Sequence, residues 1–318
     1  MAKSLKSQEK LSKLAFGLIQ KAKKITLLTH FRPDGDGMSS CAALSHILQA
    51  LGKQVETIYP NKAQLSLKRS PKPIYINKHK QTPDLIIALD TANYGRLYYP
   101  ENFKNIPLIN IDHHISNSIN GTCNFIETKS SSTCEILFEL LKNWYPKLIN
   151  KYVAECLLFG ILCDGQVFHT QAITGNTLRV SADLMDLGAN LYKLKTELLT
   201  DKNPQIITLW GKMMSNINIT PKGNAAWTYI TQKDLKKYDI KQAPLLGFNN
   251  FLSQIAGIDM TLLFHETDTG QTKVSLRSKK TDVNKLAAKF GGGGHKNAAG
   301  ILSDKPIMEL IKEVTKNL

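Results

Sequence analysis

Largely apolar runs recur through the first half of the chain: Ile25-Thr26-Leu27-Leu28, Val55-Glu56-Thr57-Ile58-Tyr59, Asp84-Leu85-Ile86-Ile87-Ala88-Leu89 and Pro107-Leu108-Ile109-Asn110-Ile111. Short runs of this kind predict buried strands. Around them the spacing turns helical. Leu11, Leu14, Leu18 and Ile19 mark an amphipathic helix over residues 5–22, and a second helix is expected from Met38 to Leu51. Ser132 and Glu135 form a capping box ahead of Ile136, Leu137, Leu140, Leu141 and Trp144. Tyr152–Cys163 reads as an apolar helix that stops at Asp164-Gly165, and the basic, Pro-punctuated Lys68–Lys80 reads as a surface loop. Strands alternating with helices argue for an α/β fold with a mainly parallel sheet covered on both faces.

From about Leu191 the texture changes. Lys202-Asn203-Pro204 breaks the pattern, and Gln205–Met214 is expected to be a connecting helix. Two strand pairs follow, Ile217–Thr220 with Ala226–Ile230 and Thr261–His265 with Lys273–Arg277, the second about Asp268-Thr269-Gly270. A helical stretch at Asn249–Ile255 lies between them. Asp282–Lys289, a run of four glycines and a helix near Ile307–Val314 complete the chain. The expected organisation is an α/β domain over residues 1–190, a helical linker over 191–222, and a smaller α+β domain over 223–318.

The 318 residues carry a formal charge of +15, which attracts polyanions such as nucleic acid or nucleotides, although lysines scattered over solvated faces give the same total. Five cysteines without a CxxC pair suit reduced thiols in a cytoplasmic protein. The longest apolar run near the start, Leu14–Ile19, is too short for a signal-peptide core, and no run approaches the ~20 residues of a membrane span. A soluble protein without membrane attachment is expected.

Candidate chemistry gathers where apolar segments end. His30, Asp34 and Asp36 follow the first strand in a loop bent by Pro33 and Gly35. Asp90 follows another strand, Asp112-His113-His114 a third, and Asp164 a helix. Taken singly, each is an ordinary polar loop or helix-end residue. Together they would converge on one rim, where carboxylates repel one another unless cations neutralise them. A mixed Asp and His set without Cys suits Mn²⁺, with Mg²⁺, Co²⁺ or Zn²⁺ less favoured. Six ligands suit two ions about 3.5–4 Å apart, an arrangement that favours in-line attack of water on phosphorus.

These residues resemble the DHH phosphoesterases, a family called after the triplet seen here as Asp112-His113-His114. The resemblance extends to His30-x-x-x-Asp34-x-Asp36, Asp90-Thr91-Ala92 and Asp164. In the second half, Val274-Ser275-Leu276-Arg277-Ser278 and Gly291–Gly300 resemble the DHH-associated domain. The resemblance implies one metal on His30, Asp34 and Asp90. It implies a second on Asp36, Asp90, His113 and Asp164, with Asp90 bridging. His114 would face the phosphoryl group, and Asp112 would orient the imidazoles.

In the second domain Ser275, Arg277, Gly292, Gly293, Gly294 and His295 would hold the substrate, since glycine backbone and guanidinium suit phosphate. A flexible turn is the alternative reading of the glycines. The length and layout look most like the oligoribonuclease branch, which also acts on adenosine 3′,5′-bisphosphate. Short RNA oligonucleotides or nucleotides are therefore the expected partners, and homodimerisation is left open. A cut made between an anchoring and a cleaving domain would favour very short oligomers.

The alternatives are a phosphodiesterase for cyclic or linear dinucleotides and a non-catalytic RNA-binding protein. Two departures from the family pattern stand out: Ser39-Ser40 replaces a Gly-Ser pair, and Gly165-Gln166-Val167-Phe168 replaces a Thr-Gly after Asp164.

Overall fold

The computed structural model describes residues 2–63, 69–199, 204–240 and 248–318, with side chains at 2–7, 250 and 295 left aside. The chain divides into two units, Met1–Thr200 and Asp201–Leu318. The first contains α1 (Ala2–Lys21), β1 (Lys24–Leu28), α2 (Gly35–Ala50), β2 (Gln54–Tyr59), β3 (Ile74–Ile76) and β4 (Leu85–Leu89). It continues with β5 (Leu108–Asp112), β6 (Cys123–Ile126), α3 (Thr133–Trp144), α4 (Lys151–Asp164), α5 (Gly175–Asp186) and α6 (Leu191–Leu199).

The six strands pair in the order β3-β2-β1-β4-β5-β6, all parallel. The chain order reverses between β1 and β4, so their carboxyl ends diverge into a crevice there, the usual ligand position in open α/β sheets.

Successive strand side chains face opposite ways and so feed two cores. Ile25, Leu27, Ile87, Leu89, Ile109 and Ile111 join residues from α1 to α6 in the larger one. Leu28, Ile86, Ala88 and Leu108 face the other way and are covered by Phe103, Ile119 and flanking tyrosines. Helices thus line one face, and the irregular connections after β4 and β5 cover the other.

Several expectations shift. On α1, Ala15 and Ile19 are buried while Leu14 is half exposed, so the buried stripe lies beside the one drawn from the leucines. Helix α2 starts at Gly35 rather than Met38, because Asp34 caps it by accepting from the amides of Asp36 and Gly37, both at 3.1 Å. Ser132 does cap α3, but the Glu135 carboxylate turns to the Ser131 amide and hydroxyl and to Thr177, so the box is not reciprocal. The 69–80 loop contains β3 and a buried Arg69, which pairs with Glu197 at 2.8 Å and Glu155 at 3.7 Å; Lys68 lies outside the described residues. Residues 191–222 are not one linker, since Leu194 of α6 lies in the first unit's core.

The second unit contains α7 (Pro204–Ser215), β7 (Asn218–Ile219), β8 (Ala225–Ile230), α8 (Gln232–Lys237), α9 (Phe248–Leu252) and β9 (Met260–Glu266). It ends with β10 (Thr272–Ser278), α10 (Val283–Ala288), β11 (Gly293–His295), β12 (Ala298–Ser303) and α11 (Ile307–Thr315). Its sheet runs β11-β12-β10-β9-β8-β7, antiparallel except for the β8–β9 pair. One face packs on α10 and α11, the other on α7, α8 and α9.

Candidate metal centre

Four loops at the carboxyl edge of the first sheet deliver the polar residues. His30 stands two residues beyond β1, Asp34 caps α2, and Asp36 lies in that helix's first turn. Asp90 directly follows β4 with φ +56°, a left-handed conformation that a non-glycine residue holds only under constraint. Its amide is fixed by the Ile111 carbonyl at 3.0 Å. Asp112 ends β5, His113 and His114 follow, and Asp164 ends α4.

Ligating atoms of His30, Asp34 and Asp90 lie within 4.8 Å of one another. The same holds for Asp36, His113 and Asp164, and for Asp90, Asp112, His113 and His114. His30 Nε2 stands 3.4 Å from Asp34 and 3.6 Å from Asp90; His113 Nε2 stands 3.1 Å from Asp164 and 3.6 Å from Asp90. The fully buried Asp90 therefore sits between two imidazoles, at the junction of the groups.

Burial opposes charge on His30 and His113, but facing carboxylates overcome it and push both imidazoles up to about 10. Burial and the charges of Asp90 and Asp164 hold the Asp36 carboxyl well above its usual range, and burial pushes Asp164 up to about 6. Burial would raise Asp34 too, yet His30 and two helix amides hold it at about 2.

The donor set is oxygen and imidazole nitrogen. Nearby Cys134 and Cys163 are kept as neutral thiols by burial and by the same carboxylates, so they supply no thiolate. The set fits a pair of hard or borderline divalent cations better than a soft metal. Lying at the C-terminus of α4, Asp164 adds its charge to a carbonyl-rich helix end, which favours cations further.

Asp112 has both carboxylate oxygens engaged by its neighbours and positions them. It accepts from His114 Nδ1 at 2.6 Å and from the His113 amide at 2.9 Å, and Asn117 donates to its other oxygen. That bond leaves His114 Nε2 as the ring's free polar atom, and Asp112 raises the imidazole's affinity for its proton.

Three contributors escaped sequence reasoning. Thr133 donates its amide to Asp36 at 2.6 Å and its hydroxyl to Asp90 at 3.3 Å. Asn117 fixes Asp112. Arg96 Nη2 lies 3.0 Å from His30 Nδ1, a nitrogen that also stands 2.9 Å from the Phe31 carbonyl. Once protonated, that nitrogen donates to the carbonyl. None of the three shows a sequence signal beyond its position near a strand or helix end.

The two departures also find places. Ser40 donates to the Gly37 carbonyl at 3.0 Å inside α2. Gln166, Val167 and Phe168 are all left-handed, with φ of 47°, 58° and 66°. Each such residue costs roughly 1–2 kcal/mol. The Val167 amide returns to the Leu162 carbonyl at 2.8 Å, which closes α4 directly behind Asp164.

In the second unit Ser275 and Arg277 share one face of β10. Arg277 is half-buried, and among the described residues no carboxylate pairs with it; its guanidinium donates to the Leu276 carbonyl at 3.0 Å. The glycine run is a helix stop followed by an edge strand. Gly291 takes φ +72° after α10. A Cβ at Gly292 would stand 2.2 Å from the Gly300 carbonyl, and one at Gly294 2.5 Å from that of Ala298. Glycine at 291 thus has a conformational reason and at 292 and 294 a packing reason, both independent of any ligand; Gly293 is unconfined. The His295 side chain lies outside the described residues.

A six-strand parallel sheet carrying this constellation at its switch point defines a hydrolase of phosphoesters. Residues 24–161 match the DHH family, N-terminal domain, and residues 223–318 match the DHHA1 domain. The chain belongs to the DHH phosphoesterase family.

A Bacillus subtilis protein named bifunctional oligoribonuclease and PAP phosphatase NrnA is 30% identical over 289 residues, covering 87% of this chain and 88% of that one. A Streptococcus mutans protein named as the probable equivalent is 28% identical over 281 residues, again covering 87% and 88%. The crystal structure of an exopolyphosphatase-related protein from Bacteroides fragilis superposes with a TM-score of 0.88 at 26% identity, over 97% of this chain and 96% of that one. Among the described residues no helix is long and apolar enough to cross a membrane.

Proposed function

We propose that this protein hydrolyses short RNA oligonucleotides to mononucleotides and removes the 3′-phosphate of adenosine 3′,5′-bisphosphate, using two divalent cations. The observation that carries the reading is Asp90, held between His30 and His113 where two carboxylate–imidazole groups meet. The names of the Bacillus and Streptococcus relatives favour this substrate class over other phosphoesters.

His30, Asp34 and Asp90 would hold one cation, and Asp36, Asp90, His113 and Asp164 the other. Bound there, a pair of Mn²⁺ ions would supply Lewis acidity toward the phosphoryl oxygens and a water acidic enough to attack at neutral pH. His114, with Nδ1 committed to Asp112, presents Nε2 to the phosphoryl oxygens or the leaving oxygen. Arg277 and Ser275 are the anchor for a substrate phosphate, joined by the backbone of Gly292, Gly293 and Gly294 and by His295. The unpaired cysteines suit a cytoplasmic setting.

The test is product analysis with Mn²⁺ on 5′-phosphorylated RNA of graded length, adenosine 3′,5′-bisphosphate, and linear and cyclic di-adenylate. Dimers and trimers should be consumed fastest and give mononucleotides, and the bisphosphate should release phosphate. Exclusive cleavage of the di-adenylates would replace this reading with a dinucleotide phosphodiesterase. RNA binding without turnover of any substrate would make the protein a non-catalytic binder.

A further inference from the structure

The loop between His30 and Asp34 raises two side chains that the metal centre does not use. Phe31 is 46% exposed although it follows a nearly buried histidine. Its backbone is pinned on both sides: its amide donates to the Arg96 carbonyl at 2.7 Å, and its carbonyl stands 2.9 Å from His30 Nδ1. Arg32 is left-handed, with φ +58°, and its amide donates to Asn61 Oδ1 at 2.6 Å. Its guanidinium lies over the Phe31 ring, 5.6 Å from the centroid, and among the described residues no hydrogen-bond or carboxylate partner meets it.

Core packing does not account for this arrangement. A large apolar ring kept in water costs free energy, and a non-glycine residue in the left-handed region adds strain. A ligand that covers the ring and engages the guanidinium offsets both. The ring suits a flat aromatic group, and the guanidinium suits a phosphate through paired N–H donors. A nucleotide carries both groups on one molecule. His30 and Asp34, which flank the pair in sequence, both belong to the candidate metal centre.

We infer that Phe31 and Arg32 form a nucleotide platform, with the Phe31 ring stacking on a nucleobase and Arg32 binding a phosphate of the same ligand. This inference rests on the phosphoesterase reading for its substrate class. It adds that the site selects nucleotides over base-free phosphoesters, because only a base covers the ring.

The test is calorimetric binding of adenosine 5′-monophosphate and of ribose 5-phosphate to the full chain in Mn²⁺. Neither ligand needs to be cleaved. The wild type should prefer the nucleotide by about tenfold, within the range measured for base–aromatic stacking. Phe31→Ala should remove that preference, Phe31→Trp should restore it, and Arg32→Ala should weaken both ligands. Equal binding of the two ligands by the wild type, no binding of the nucleotide, or a preference that survives Phe31→Ala would each overturn the inference. A protein that shows the platform yet cleaves no phosphoester would instead remove the functional reading and leave the platform standing.

Discussion

The amide of Thr133 donates to the Asp36 carboxylate at 2.6 Å across 97 positions of sequence. The Cys134 amide takes the other oxygen at 3.0 Å, so the N-terminus of α3 grips a carboxylate whose charge burial disfavours. The Thr133 hydroxyl meanwhile reaches Asp90. One residue thus sets the spacing of two carboxylates of the candidate metal centre.

Thr133→Val removes the hydroxyl and keeps the amide and the shape. Loss of that hydrogen bond should weaken Mn²⁺ binding by about 1 kcal/mol, or roughly fivefold, in calorimetry. Thr133→Ser should recover most of the affinity. Full affinity in the valine variant would show that the hydroxyl plays no part.

Gly160 allows α4 to approach this corner. A Cβ there would stand 2.3 Å from Cys134 Sγ and 2.7 Å from Asp36 Oδ1. Gly160→Ala should therefore cost about 1–3 kcal/mol by overpacking, seen as a lower Tm, and should weaken Mn²⁺ binding as Asp36 shifts. Gly17→Ala is the control. Its Cβ would meet nothing within 4 Å, and alanine in a helix should raise stability by about 0.5–1 kcal/mol.

Asp90→Asn keeps the size of the side chain, and asparagine tolerates the left-handed backbone required here. It also removes one negative charge facing Asp36 and Asp164. Turnover should fall by more than the about 100-fold typical of changing an outer partner of a metal site. Retained turnover would remove Asp90 from its bridging role.

The pH dependence follows from the raised imidazoles. His30 and His113 sit at about 10 in the folded chain against 6.5 ordinarily. Their ion pairs contribute stability that is fully present below pH 6.5 and is lost as pH rises through 10. In chelator, the urea midpoint should fall between those limits. Mn²⁺ competes for the same nitrogens, so loading at pH 7–8 should release at least about two protons and tighten with pH. A calorimetric binding enthalpy independent of the buffer's ionisation heat would contradict this proton exchange.

Most elements near the site were legible because each leaves a local mark. The strands ending at Leu28, Leu89 and Asp112 were apolar runs, and α4 stopped at its Gly165. The glycine run was legible only in part: its chemistry suits a phosphate cradle, while the packing of Gly292 and Gly294 against strand β12 answers to a partner defined only by sheet pairing. The capping box misled for a similar reason. The Glu135 carboxylate can reach Ser131 and Thr177 only once α3 and α5 lie side by side.

What the sequence determined by itself was the set of chemical groups and their attachment to element ends, because strand and helix periods fix where an apolar segment stops. Only tertiary structure decided that β1 and β4 are neighbours, which brings His30 to Asp90 across 60 residues. It also decided that α3 caps Asp36 and that the Arg32 guanidinium lies over the Phe31 ring. These relationships depend on distances between segments, and a periodic pattern within one segment contains no information about its partner.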